Sequence, residues 1–134
     1  MNSANLKKLD DAFSEYIRLR DADDNGYITC CTGGGRVFWK YADCGHYIDR
    51  GNMATRYHEK NCHAQSKEWN QFKNKEVMLE AYEEFLVDKY GENIIDDLET
   101  LKHNTLRISN NEAILLIKHY KAKAKEFKKL KLAA

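Results

Sequence analysis

The sequence predicts an α+β fold: an amphipathic N-terminal helix, a short β-containing middle, and two to three further helices. Three observations carry this. Apolar residues recur at a helical period near both ends; the middle holds short β-branched or aromatic runs broken by glycine; and proline is absent. At 134 residues the chain is sized for one domain that buries its own core without disulfide staples.

Leu6, Leu9, Phe13 and Ile17 fall near a 3.6-residue period, with Lys7, Lys8, Asp10, Asp11 and Glu15 between them. That predicts a helix from Ser3 or Asn5 to about Arg20, capped by Ser3 or Asn2. Next comes DADDNGYIT, where Asp21, Asp23, Asn25, Gly26 and Ile28 match the first eight positions of a calcium-binding loop. Position twelve is Thr32 rather than a bidentate Glu, and Gly33, Gly34 and Gly35 cannot open the required helix. An Asx-rich turn closing the first helix is expected instead. Tyr27 to Thr29 and Val37 to Tyr41 predict a small hairpin around the glycines, with another strand or loop at His46 to Ile48. Val77, Leu79, Tyr82, Phe85, Leu86 and Tyr90 predict a helix over 76–90 stopped by Gly91, and a shorter piece follows over 94–101. Ser109 and Glu112 form a capping box for a last helix from about Asn110 to Phe127.

Composition narrows the class. Hydrophobic residues make up 43% and charged residues 32% of the chain, and no apolar run approaches the roughly 20 residues of a membrane span. The N-terminus MNSANLKKLDD is polar and helix-like rather than a secretory signal, so a cytoplasmic protein with no membrane partner is expected. Free thiols or metal ligands, rather than disulfides, are then the reading for the four cysteines. The net charge of +1 conceals an asymmetry: KHYKAKAKEFKKLKLAA at the end is basic, while 76–99 is acidic. A basic helix end permits a nucleic-acid partner, and equally describes a solvated end favoured by its own dipole.

The chemistry concentrates between Tyr41 and Lys73, which hold three histidines and two cysteines in a stretch too polar for a plain core element. Imidazoles near carboxamides and a carboxylate, with Arg50 and Arg56 between them, read as a small metal-assisted site acting on an anion. Within it, DCGHYI, then NCHAQ, then WNQFK resembles the HNH (His-Me finger) nucleases. With YIRLRDADDNGYITC before and KYGENIIDDLETL after, residues 9–128 resemble the phage NinG (Rap) recombination family.

The resemblance implies a small ββα-metal core within a single domain over 1–134: an N-terminal helix over 1–22, an HNH-like finger over 23–75 and a helical part over 76–130. It implies a metal-dependent, structure-selective DNA endonuclease of phage recombination in the host bacterial cytoplasm. Its partner would be branched or junction DNA, for which a homodimer would supply symmetry. A phosphodiester is a poor electrophile, so water must be deprotonated and charge on the leaving oxygen neutralised. His46 is expected as general base, because neutral imidazole near pH 7 can take the proton. Asn61 matches the asparagine that orients the base by a hydrogen bond. Asn70 matches a metal-ligand position, and its carbonyl oxygen suits Mg²⁺ better than Zn²⁺. The acidic position just before the base is Gly45. Asp43, three residues before His46, stands where the resembling phage proteins also carry an aspartate, and the resemblance gives it the ligand role. His63 beside Asn61 is a candidate for metal, for phosphate or for neither. Arg50, Arg56 and Lys73 are expected on DNA phosphates, with Arg18 in a matching stretch. His58, His103 and His119 are read as structural.

One departure stands out. The resembling proteins hold structural Zn²⁺ with two C-x2-C pairs, whose places here are Cys30 with Gly33 and Ser66 with Trp69. Three of the four thiolates are missing, so no structural Zn²⁺ is expected there. Trp69 is expected to fill part of the space between Gly33 and Ser66. The competing reading is a catalytically silent DNA-binding recombination accessory that keeps the HNH scaffold.

Overall fold

The computed structural model of the chain describes residues 1–72 and 74–132. Helix α1 (Ser3–Asp21) starts where Asn2 Oδ1 accepts the Asn5 N–H at 2.8 Å, so Asn2 is the cap. Its apolar stripe of Leu9, Phe13 and Ile17 is buried against Ala113, Ile117 and Tyr120 of the last helix, α6 (Asn110–Lys131). Phe13 meets Tyr120 edge-on, ring centres 5.0 Å apart. The expected reciprocal capping box of Ser109 and Glu112 opens α6. At its far end, Lys131 Nζ donates to the carbonyls of Leu19, Arg20 and Ala22 at 2.9, 3.0 and 2.7 Å. A cation thus sits on the negative end of α1.

The aspartate-rich segment after α1 is the expected Asx turn. Asp23 Oδ1 accepts the N–H groups of Asn25 and Tyr27, both at 2.9 Å, and Oδ2 accepts from Arg36 at 2.5 Å. Both oxygens are engaged in shaping the chain. Gly26 turns it with φ 86°, and a Cβ there would lie 2.7 Å from Phe38 and Leu132. Strands β1 (Tyr27–Thr29) and β2 (Arg36–Phe38) then pair antiparallel. The second strand is shorter than expected, because Trp39–Tyr41 winds into a 3₁₀ turn that buries the indole of Trp39.

A second antiparallel pair follows, β3 (Ala42–His46) with β4 (Cys62–Ser66), in register from Ala42 opposite Ser66 to His46 opposite Cys62. The strand expected near His46 therefore ends there rather than beginning there. The 46–62 connection contains a single turn, α2 (Met53–Arg56), and β4 runs directly into another, α3 (Lys67–Asn70), capped by Ser66. Asn70 closes that turn, and α4 (Lys75–Tyr90) starts afresh with its own cap, Asn74.

The chain is thus α+β, with two small antiparallel sheets among the helices of the described residues. Tyr82, Leu86 and Leu98 of α4 and α5 (Ile94–Lys102) form a further core with Ile48, and Tyr82 pins α4 to β3 by donating its hydroxyl to the Gly45 carbonyl at 2.6 Å. From the other side, Arg20 donates to the Cys62 carbonyl at 2.7 Å and Asp21 accepts the Ala64 N–H at 2.8 Å. The β3–β4 ribbon is held on both flanks. Among the described residues, no helix is long and apolar enough to cross a membrane.

Candidate functional site

One edge of the β3–β4 ribbon opens on a cavity of about 660 Å³, lined by Asp10 of α1, Asp43 and His46 of β3, Arg50 and Arg56 of the connection, and Asn70 of α3. Three residues expected at a metal-assisted site, Asp43, His46 and Asn70, therefore share one polar cavity.

His46 stands at the end of β3, with ring Nε2 2.9 Å from the Arg56 carbonyl oxygen. A carbonyl only accepts, so the neutral ring carries its proton on Nε2 and its lone pair on Nδ1. Burial pushes the imidazole below its ordinary pKa, against the opposing pull of the Arg56 carbonyl, and the nearby Arg50 charge adds to the lowering. His46 is thus neutral near pH 7, with a ring oriented by the Arg56 carbonyl.

The expected hydrogen bond from Asn61 to His46 is absent. Asn61 is fully buried, and its carboxamide closes on the connection: Oδ1 accepts the Ile48 N–H at 2.8 Å, while Nδ2 donates to the carbonyls of Ile48 and Thr55 at 3.0 and 3.1 Å. Asn61 therefore folds the loop whose Arg56 carbonyl orients His46. Its influence on the ring is one step removed.

Asp43 and Asn70 touch, with Asn70 Nδ2 donating to Asp43 Oδ2 at 2.9 Å. The other carboxylate oxygen accepts from Lys67 Nζ at 2.6 Å. A carboxylate and a carboxamide oxygen form a hard donor set that fits an ion such as Mg²⁺. Lys67 is a competing cation at the same carboxylate.

His63 is not brought to this cavity. Two register positions from Asp43 on the paired strand, it faces α4, packed on Phe85 with ring centres 4.9 Å apart, and its Nε2 lies 2.8 Å from the Tyr90 hydroxyl. Burial lowers its pKa to about 3, and the environment is that of a core histidine. Of the expected phosphate-binding residues, Arg50 lies at the cavity, 60% exposed and only loosely paired with Asp10 Oδ2 at 3.8 Å. Arg56 is instead clamped to Asp10 through both carboxylate oxygens, at 3.0 and 2.6 Å. Arg18 is likewise tied to the Trp39 carbonyl at 3.1 Å and lies over its ring. Lys73 lies outside the described residues.

At the zinc-knuckle positions, the indole of Trp69 lies over Gly33 so closely that a Cβ there would fall 2.0 Å from Nε1. Trp69 also stacks on Phe72 with ring centres 4.8 Å apart. The expected filling of the space by Trp69 matches this packing. Cys30 keeps knuckle-like contacts, its sulfur accepting the N–H groups of Gly33 and Ser66 at 3.4 and 3.3 Å. Burial pushes this thiol up, yet the bonds from Thr32, Ser66 and Gly33 outweigh it and leave the pKa below its ordinary value.

Asp10 and Tyr57 went unidentified in the sequence. Tyr57 donates to Asp10 Oδ1 at 2.6 Å, completing the grip on Arg56. Burial raises the Asp10 pKa, but the hydrogen bonds from Arg56 and Tyr57 prevail and hold it below the usual carboxylate range. Asp10 follows the charged side of the α1 pattern like its neighbours, and only the 46-residue separation from Arg56, closed by folding, sets it apart. A family model described as "Bacteriophage Lambda NinG protein" matches residues 2–131. No curated protein and no solved structure matches the chain.

Proposed function

The chain belongs to the bacteriophage lambda NinG family, and from that premise we propose that it is a metal-dependent, structure-selective DNA endonuclease of phage recombination built on an HNH-type site. The observation that carries this reading is the meeting of Asp43, His46 and Asn70 in one cavity, with the His46 ring aligned by the Arg56 carbonyl. Asp43 and Asn70 would hold a divalent ion, whose chemistry is to neutralise charge on the phosphate and its leaving oxygen. His46 Nδ1 removes a proton from the attacking water, and the Arg56 carbonyl steadies the imidazolium that results. Arg50 offers an exposed guanidinium for a neighbouring phosphate. Exposed lysines of α6, Lys121, Lys123, Lys125 and Lys129, would extend the footprint along the backbone. Contacts of this kind read charge and shape, which suits branched DNA rather than a base sequence.

The second reading, a silent DNA-binding accessory, is favoured by the Lys67–Asp43 pair, in which an ammonium occupies the carboxylate a metal would need. Cleavage of branched and linear DNA with Mg²⁺ or Mn²⁺ by the parent and His46→Ala separates the two. The endonuclease reading expects cutting of branched DNA that falls at least about 100-fold in His46→Ala while binding persists. Metal-independent binding without any cutting by the parent selects the accessory.

A further inference from the structure

We infer that Cys44, His46 and Cys62 form a binding site for a soft divalent ion such as Zn²⁺, distinct from the oxygen donors Asp43 and Asn70, and that its occupancy takes His46 out of catalysis. Two sulfurs and an imidazole nitrogen lie within 4.8 Å of one another. The ribbon register places them there: Cys44 and His46 are two apart on β3 and share a face, while Cys62 is the direct cross-strand partner of His46. Arg56 contributes again, because its carbonyl accepts from both the Cys62 thiol, at 3.6 Å, and His46, at 2.9 Å.

Ligand type separates the two sites. Tetrahedral zinc with bonds of about 2.3 Å to sulfur and about 2.0 Å to nitrogen holds its ligand atoms a little under about 4 Å apart. Closing the present triangle requires movement of about 1 Å at most, within reach of side-chain rotation by half-buried Cys44. Two thiolates and a dication sum to zero charge, which suits Cys62 in its apolar setting among Leu9, Phe13 and Ile17. With three protein ligands, the fourth position is open to water or substrate. A neutral imidazole has a single nitrogen lone pair, and a metal that takes it leaves none for a water proton.

The regulatory half of this inference rests on the endonuclease reading; the binding half does not. Co²⁺ is added to the metal-stripped full chain, with its thiolate charge-transfer absorption and tetrahedral visible bands as readout. The expected result is one equivalent bound, with the signal lost in Cys44→Ala and Cys62→Ala and kept in Cys30→Ser. Cys62 is buried, so far-UV circular dichroism accompanies each variant, and half-buried Cys44 gives the variant that tests the site if Cys62→Ala unfolds. No charge-transfer band in the parent, or a band kept in Cys44→Ala, overturns the site. In the Mg²⁺-dependent cleavage assay, one equivalent of Zn²⁺ lowers the parent rate at least about 10-fold, and it leaves Cys44→Ala near its own zinc-free rate. A parent that binds Co²⁺ and cuts DNA undiminished by Zn²⁺ overturns the regulatory half alone. A parent that binds Co²⁺ and never cuts overturns the endonuclease reading, and the regulatory half with it.

Discussion

Asp10 and Arg56, 46 residues apart, meet in a two-toothed ion pair at 3.0 and 2.6 Å, with side chains only 17% and 13% exposed. Removing the carboxylate in Asp10→Ala leaves a guanidinium and the Tyr57 hydroxyl without their partner. The expected cost is about 2–4 kcal/mol of stability, read from urea unfolding. Because Arg56 also presents the carbonyl that orients His46, the His46 titration followed by NMR shifts in the same variant. A variant with parental stability and an unmoved titration would show that the clamp does not position the base.

Trp69 and Gly33 are coupled by contact. Gly33→Ala is expected to lose about 1–3 kcal/mol through overpacking against the indole. In a Trp69→Ala background that cost shrinks by at least about 1 kcal/mol, because the obstructing ring is gone. A double-mutant cycle by chemical denaturation checks this, and strict additivity would contradict the close packing.

Acid should weaken the fold before the carboxylates titrate. His63, lowered to about 3 in the folded chain, regains a pKa near 6.5 when unfolded. Below that value the unfolded chain binds the extra proton, so stability falls as pH falls, with the loss continuing until the folded pKa is reached. Between pH 7 and pH 5 this amounts to about 2 kcal/mol, and His46, shifted in the same direction, adds to it. Urea midpoints at the two pH values provide the measurement. An unchanged midpoint would mean that these rings take up protons in the folded chain as readily as in the unfolded one.

Lys67→Met removes the cation that competes at Asp43. Lys67 is 59% exposed, so its hold on the carboxylate is about 0.5–1 kcal/mol, and Mn²⁺ affinity should tighten about 2- to 5-fold. Mn²⁺ titration followed by electron paramagnetic resonance reports it, with Asp43→Asn as the control that abolishes the gain.

Periodicity and capping made the helices legible: α1, α4, α5 and α6 lie within a few residues of their expected bounds, and Ser109 with Glu112 marks the α6 start. The family was legible from motif order, whereas its HNH chemistry is a proposal. The resemblance grouped Asp43, His46 and Asn70, and the three side chains line one cavity. It could not reveal that His63, which shares the ribbon face of Asp43, is covered by Phe85 and Tyr90 of α4, since that packing is set only by folding. Nor could it show that Asn61 acts on backbone, or that Arg56 is already held by Asp10. A charged residue has the same symbol whether its partner is a phosphate or a distant carboxylate.

The contact of Lys131 with the end of α1 has a consequence for biosynthesis. The first helix leaves the ribosome with Leu9, Phe13 and Ile17 lacking their main covering element, α6, until more than a hundred further residues have been added. Folding of this face is therefore deferred until α6 has been made, and during that interval an early apolar stripe is exposed to chaperones and to self-association.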